Sequence, residues 1–326
     1  MNSLRIIVIT QGVSRILPTI LKINHEIVGV VESAPRGYHK NIKLNAIKDA
    51  VMHCMALLFG VPSLKRWCQK LMLPYFKMYV GRDQRLNDFV ENLSPDLIVI
   101  YSMSQLLKKN ILQIPKYGAI NLHPSLLPSY RGPNPDFWQY YDFVLERGVT
   151  VHMVDEGEDT GDILLQEKYK MPIGMKSSEL NAILIGDVGG RLLAESINLI
   201  SSNKIKRVPQ LADSITGRAR NLKPGEHGSL INWTEWEVVR IWHLLRGTES
   251  WFNALPRPAG VYWGQRWIVN NYIEIKKETN DIPGCIYSDV DGRYVACKNG
   301  KIYVSIKFSS FWLCVALFNK LKGLML

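Results

Sequence analysis

No C-x-x-C pair occurs in this chain. Its five cysteines, Cys54, Cys68, Cys285, Cys297 and Cys314, are scattered, with no Cys/His spacing of a metal site. A disulfide framework and a zinc motif are therefore excluded, and the cytoplasm is the expected compartment. Long apolar runs are also missing: 51–61 and 311–318 are too short for a bilayer, which needs about 20 residues, so no stable membrane insertion is expected. The N-terminus lacks the cleavable pattern of a signal peptide, since 4–9 (LRIIVI) reads as a buried strand. After that strand, 10–14 (TQGVS) carries one glycine where a dinucleotide fold needs G-x-G-x-x-G, which argues against NAD or FAD. Acid is scarce between Arg36 and Arg82, where Asp49 faces Arg36, Lys40, Lys43, Lys48, Lys65, Arg66, Lys70, Lys77 and Arg82. This basic insertion, 36–82, reads as a solvated helix face or as a patch for an anion.

Hydrophobic residues make up 47% and charged residues 21%, so the chain should bury a core. A length of 326 residues suggests two domains: a catalytic domain at 1–205, a polar, basic linker at 206–228, and a smaller domain at 229–326. Short β-rich runs at 4–10, 27–33, 97–101 and 119–122 alternate with helical patterns. That alternation predicts a Rossmann-like, mainly parallel α/β sheet with helices on both faces. The stretch 44–58 is expected to be an amphipathic helix and 64–78 to continue in helical style, as an insertion between strands. Strands are predicted at 149–154 and 163–169, then a helix at 180–200 weakened by Gly189 and Gly190. Thr234 and Glu237 form a capping-box pattern for a helix over 234–246. Short strands at 260–269, 272–275, 284–287, 293–297 and 302–306 predict a mostly-β domain, either a small OB-like barrel or an open sheet.

Two stretches carry chemistry. In 119–132 (AINLHPSLLPSYRG) a buried strand runs into a loop stiffened by Pro124 and Pro128. Alternation places Asn121 and His123 on one face and Leu122 on the other, and loops at the carboxyl ends of such strands line the ligand crevice. In 148–164 (GVTVHMVDEGEDTGDIL) a strand enters an acidic loop hinged by Gly157 and Gly161. Asp155, Glu156, Glu158, Asp159 and Asp162 crowd that loop, so at least one is expected to have a raised pKa unless a cation, an amine or a histidine lies near. Calcium is the rival ligand, but the spacing of an EF-hand is absent. His152, inside the strand pattern, reads as a structural histidine.

Together the N-x-H-P-S-L-L-P and D-x-G-x-D-T-G-D loops resemble the formyltransferase family that uses 10-formyltetrahydrofolate. The resemblance implies a catalytic set of Asn121, His123 and Asp159. It places the folate donor beside Ser102, Met103, Ser104, Gln105, Leu106, Leu107, Val154 and Asp155, and requires no metal. Family members formylate the methionyl group of an initiator tRNA, nucleotide-linked amino sugars or small nucleotides. A net charge of +11 and a pI near 9.3 suit a tRNA. The pattern Y-R-G-P-N-P-D-F-W at 130–138 is more similar to enzymes that formylate nucleotide-linked amino sugars for surface polysaccharides. It implies substrate contacts from Ser125, Tyr130, Arg131, Asn134 and Trp138, with bases meeting the diphosphate and aromatics the nucleobase. The expected acceptor is accordingly an amino sugar, with tRNA as the alternative. Oligomeric state, homo-oligomer included, stays open.

Overall fold

The structure is a computed structural model that describes residues 3–34, 63–79, 84–223, 225–256, 258, 264–276, 280–308 and 313. The expected helix at 44–58, most of the basic insertion, Cys54, Cys314 and nearly all of 311–318 lie outside these residues. The described residues fall into two compact units. One comprises Met1–Asp136, Glu146–Lys170 and Leu180–Arg220; the other comprises Phe137–Leu145, Met171–Glu179 and Asn221–Leu326.

The first unit is built on seven strands: β1 (Arg5–Thr10), β2 (Glu26–Ser33), β3 (Tyr75–Met78), β4 (Leu97–Tyr101), β5 (Ala119–His123), β6 (Glu146–Met153) and β7 (Ile163–Lys170). Their order is β3-β2-β1-β4-β5-β6-β7. The first five are parallel, while β5–β6 and β6–β7 pair antiparallel. β1 and β4 are continuous apolar runs because both of their faces are covered. The helices of this unit are α1 (Leu17–Ile20), α2 (Leu64–Lys70), α3 (Gln84–Leu93), α4 (Lys109–Leu112) and, after the sheet, α7 (Gly190–Ser201). Two further helices, α5 (Pro135–Tyr141) and α6 (Ser177–Asn181), precede α7.

On one face Ile7, Ile9, Ile98, Ile100 and Ala119 bury against Leu86 and Val90 of α3 and Ile111 of α4. On the other, Leu122 meets the turn into α7: a Cβ on Gly189 would lie 2.6 Å from Leu122 Cδ2, and one on Gly190 2.9 Å from Thr19 Oγ1 of α1. These glycines, which the sequence suggests as helix weaknesses, let the helix approach sheet and neighbour. The helix runs through them as a π segment, Ala182–Gly189, followed by α7. Ala119 and Leu122 thus point to opposite faces, and Asn121 and His123 share the face of Ala119.

One expectation fails at the sheet edge. The stretch 64–78 is helical only over α2; Tyr75–Met78 turns out and pairs with Val30–Ser33 as β3. A four-residue edge strand of sequence YFKM is too brief to show a period that distinguishes it from helix.

The second unit carries α8 (Val238–Gly247) and an antiparallel sheet of β8 (Gln265–Glu274), β9 (Ile286–Asp289), β10 (Gly292–Cys297) and β11 (Gly300–Phe308), in the order β8-β11-β10-β9. Among the described residues the sheet is open, one of the two forms expected. The two strands expected before 275 are one, because a register shift between Ile302 and Val304 of β11 absorbs the Asn270–Asn271 step. α8 also starts later than the capping box suggests. Asn232 Oδ1 takes the Thr234 hydroxyl (3.0 Å) and Glu235 N–H (3.1 Å), and Glu237 stands extended as N-cap. The first helical N–H, Val238, donates instead to Asn299 Oδ1 at 2.8 Å, a long-range cap that no local pattern reveals.

Gly148 on β6 fixes how closely the 124–129 loop packs: a Cβ there would sit 2.3 Å from Leu126 Cδ2 and 2.5 Å from Glu167 O. Gly148→Ala should cost about 1–3 kcal/mol by overpacking. Gly217→Ala, with nothing within 4 Å, should stay within about 0.5 kcal/mol of the parent. Urea unfolding checks both, and equal stabilities would contradict this packing.

Candidate active site

The loop after β5 is stapled by its antiparallel neighbours. Thr150 Oγ1 on β6 donates to Ser125 O (2.7 Å) and accepts from Leu127 N (3.1 Å) and from Gln166 Nε2 of β7 (2.8 Å). Gln166 also donates to Leu127 O at 3.0 Å. At the strand end His123 is buried, and its Nε2–H donates to Tyr130 O at 3.0 Å. Tyr130 holds a left-handed φ of 59°, which folds the loop back so that its carbonyl reaches the ring.

The acidic loop after β6 reaches the same place. Gly161 lies against Met153, where a Cβ would stand 2.0 Å from Met153 O, and Asp159 takes φ 57°. Its carboxylate then faces four groups. Oδ2 accepts the Gly132 N–H at 2.9 Å and lies 3.5 Å from His123 Nδ1; Oδ1 lies 3.5 Å from Asn121 Nδ2 and 3.6 Å from His152 Nε2. The three residues expected to be catalytic therefore meet in one cluster.

His152 meets them too, contrary to its reading as a purely structural histidine. Its Nδ1–H donates to Met153 O (2.7 Å), which leaves Nε2 as an acceptor for Asn121 Nδ2 at 3.0 Å. The signal lies in strand pairing: Asn121 stands opposite His152 across β5 and β6. Without the register, that neighbour is invisible in the sequence.

Burial is the largest influence on Asp159 and would raise its pKa. The charge of His123, the hydrogen bond and charge of His152, each acting when its ring is protonated, and the Gly132 N–H outweigh burial and hold the carboxyl at about 2. The exception allowed for the acidic loop, a nearby histidine, thus applies at Asp159. For His123 burial also dominates and pulls the pKa below its usual 6.5, with Asp159 opposing and His152 reinforcing the fall. In the resting site Asp159 is ionised and His123 neutral, with Nδ1 able to take a proton beside a carboxylate. Asn121 keeps one N–H on His152; its 3.5 Å contact with Asp159 is at the limit of a hydrogen bond, so that N–H can turn to a substrate oxygen.

These groups stand on the wall of a cleft at the carboxyl ends of β4 and β5. It is also lined by Tyr101, Ser102, Met103, Ser104, Gln105, Leu106, Val154, Asp155 and Glu158. Ser33 Oγ holds the Ser104 N–H at 3.1 Å and so fixes the loop after β4. Leu107, the remaining residue expected at the folate, is buried in the core below. Asp155 spends one oxygen on the Gly157 N–H (3.0 Å) and the Thr160 hydroxyl (2.6 Å), closing the acidic loop on itself.

The residues expected at the acceptor are placed differently. The Ser125 hydroxyl is buried and donates to Ser129 O at 2.7 Å. Arg131 is buried, with its guanidinium bonded to Gln210 Oε1, Leu211 O and Ala212 O. The Asn134 N–H donates to Ala219 O at 2.9 Å, and Trp138 sits in an aromatic cluster with Phe137 and Tyr141 of the second unit. Ser125, Tyr130, Arg131 and Asn134 do not line the cleft. The fork of Arg131 is engaged by its own chain.

Asn121→Ala, His123→Ala and Asp159→Ala should each lower kcat by about two to four orders of magnitude with folding retained. His152→Ala should cost about tenfold to a hundredfold, since it loosens Asn121 without removing a donor. A His152 variant with unchanged kcat would contradict the orienting role. The pH profile of kcat/KM should fall on the acid side with an apparent pKa below 6.5, because protonation of His123 removes the proton acceptor, and Asp159 should add no inflection above pH 4. An acid limb at or above pH 7 would contradict the burial of His123.

Residues 6–188 match the family described as formyl transferase, a span that includes both loops. Methionyl-tRNA formyltransferase of Alkaliphilus oremlandii (strain OhILAs) is 30% identical over 298 residues, 90% of this chain and 87% of that protein. The enzyme of the same name from Clostridium botulinum (strain Alaska E43 / Type E3) is 32% identical over 288 residues, 87% and 85% of the two chains. Among solved structures, WlaRD, a sugar 3N-formyl transferase crystallised with dTDP and 5-N-formyl-THF, shares the fold at a TM-score of 0.62. It is 15% identical, with 95% of this chain and 99% of that one covered. HypX from Aquifex aeolicus with tetrahydrofolic acid gives 0.56 at 13% identity, covering 95% and 45%. With both loops inside the matched span, the chain belongs to the formyl transferase family.

Proposed function

We propose that this enzyme transfers the formyl group of 10-formyltetrahydrofolate to the amine of a methionyl-tRNA, and that Asn121, His123 and Asp159 carry the reaction. The carrier supplies the formyl carbon when bound. Its flat ring system suits a cleft with apolar Ile100, Met103, Leu106 and Val154 and with the backbone of 102–106 and 154–155 for polar contacts. A neutral amine attacks the formyl carbon and loses a proton. The carbon–nitrogen bond to the carrier breaks, and the departing nitrogen gains a proton, so none is consumed overall. Asn121 Nδ2–H stabilises the oxygen as it gains charge, a donor role worth about 3 kcal/mol in comparable sites. His123 Nδ1 takes the amine proton and returns it to the departing nitrogen, and ionised Asp159 stabilises the imidazolium between the two steps. No step calls for a metal.

One observation carries the acceptor: the methionyl-tRNA formyltransferase relatives align at 30–32% identity over 85–87% of their own length, far beyond the catalytic loops. The charge agrees with it, since Lys204, Lys206, Arg207, Arg218 and Lys223 are exposed on a net +11 chain. This reading displaces the amino sugar expected from the sequence. The pattern at 130–138 still favours a nucleotide-linked amino sugar as the second reading, but its Arg131 is bonded within its own chain and the likeness to WlaRD is one of fold.

Initiator methionyl-tRNA should be formylated with release of tetrahydrofolate. Its affinity should fall steeply with salt, roughly in proportion to the number of phosphates contacted. Turnover on a nucleotide-linked amino sugar with none on methionyl-tRNA would move the assignment to the second reading. Inert 10-formyltetrahydrofolate with both acceptors would reject formyl transfer from folate.

A further inference from the structure

The segment 208–219 returns to the first unit as a strap across both catalytic loops. Val208 bridges to Ile163 in both directions (2.8 and 2.9 Å), and Ala219 N–H donates to Arg131 O at 2.8 Å. The Ser214 hydroxyl donates to Pro128 O at 2.7 Å, and Thr216 Oγ1 accepts the Tyr130 N–H at 2.6 Å. One side chain in the strap bonds to both loops. Gln210 Nε2 donates to Asp159 O at 3.0 Å and to Gly161 O at 2.6 Å, while its Oε1 accepts from Arg131 Nε at 3.2 Å and from a terminal guanidinium nitrogen at 2.8 Å.

From this clip we infer that Gln210 is a positioning residue for formyl transfer: its amide sets the distance between the Asp159–Gly161 turn and the Arg131–Gly132 turn, and so holds the Asp159 carboxylate against His123. Both turns have left-handed backbone, φ 57° at Asp159 and 120° at Gly132, and need an external tie to stay in register. The Gly132 N–H that Asp159 Oδ2 accepts is the residue next to Arg131, so the clip and the carboxylate close one small ring of contacts. The amide is matched to the task. It offers two N–H groups to two carbonyls and an oxygen to a cation, and no other side chain of that length does both. The inference rests on His123 and Asp159 acting in formyl transfer and is independent of the acceptor.

The test compares Gln210→Ala and Gln210→Glu in the full chain with Ser214→Ala, which removes another strap anchor without touching either turn. Gln210→Glu retains the acceptor for Arg131 but cannot donate to the two carbonyls. Thermal unfolding establishes that each variant is folded. Both Gln210 variants should lose about tenfold to a hundredfold in kcat, with KM for 10-formyltetrahydrofolate little changed. In Gln210→Ala the acid limb of the pH profile should also move to lower pH. Of the groups around His123, Asp159 and Glu158 raise its pKa, and His152 and burial lower it. A displaced Asp159 therefore leaves burial less opposed. Ser214→Ala should keep the parent kcat and profile. Parent-like kcat and pH profile in a folded Gln210→Glu or Gln210→Ala would overturn the inference, as would an equal loss in Ser214→Ala. If the parent enzyme itself shows no formyl transfer, the failure belongs to the activity and not to Gln210.

Discussion

The carboxylate of Asp159 is the constraint on which the site depends. A negative charge with only 17% of its side chain exposed persists only if its surroundings replace the water it has lost. Here one oxygen takes a backbone N–H and faces a histidine, and the other faces an asparagine amide and a second histidine. That demand explains the left-handed turn at Asp159, the close passage of Gly161 under Met153 and the unusual backbone at Gly132. Each brings a donor to the carboxylate or the carboxylate to a donor. The same charge then gives His123 a place to hold a proton, which links stability of the resting site to its chemistry.

The sheet makes this convergence possible by changing direction. Five parallel strands deliver the β4 and β5 loops to one edge, as in other open α/β folds. The antiparallel β6 then returns along β5, so that His152 lies opposite Asn121, and the acidic loop, which leaves beside Ala119 and Ile120, folds back to bring Asp159 to His123. The strap at 208–219 closes the arrangement from outside by tying together two loops that are adjacent in space and distant in sequence.

The parallel core and the principal site residues were legible because they depend on local pattern. Apolar runs at β1 and β4 show burial on both faces, and alternation in 119–123 places Asn121 and His123 together. What escaped depends on partners far along the chain. β3 exists because Val30–Ser33 offers an open edge, and α8 begins at Val238 because Asn299 caps it. Arg131 reads as a phosphate ligand until Gln210 and two strap carbonyls take its fork, and His152 reads as structural until the β5–β6 register sets it against Asn121. In the acidic loop the crowding of carboxylates meets the exception that composition allows, since Asp159 faces two histidines and a backbone N–H.

On this mechanism Asp159 is ionised throughout the working range and His123 is neutral at rest. A carbon-13 NMR titration of the Asp159 carboxyl, assigned by its loss in Asp159→Asn, measures the first half of this directly in the folded enzyme. A chemical shift characteristic of carboxylate is expected from pH 8 down to pH 4, with no protonation of this group in that interval. A carboxyl that takes up its proton between pH 5 and 7 would contradict it.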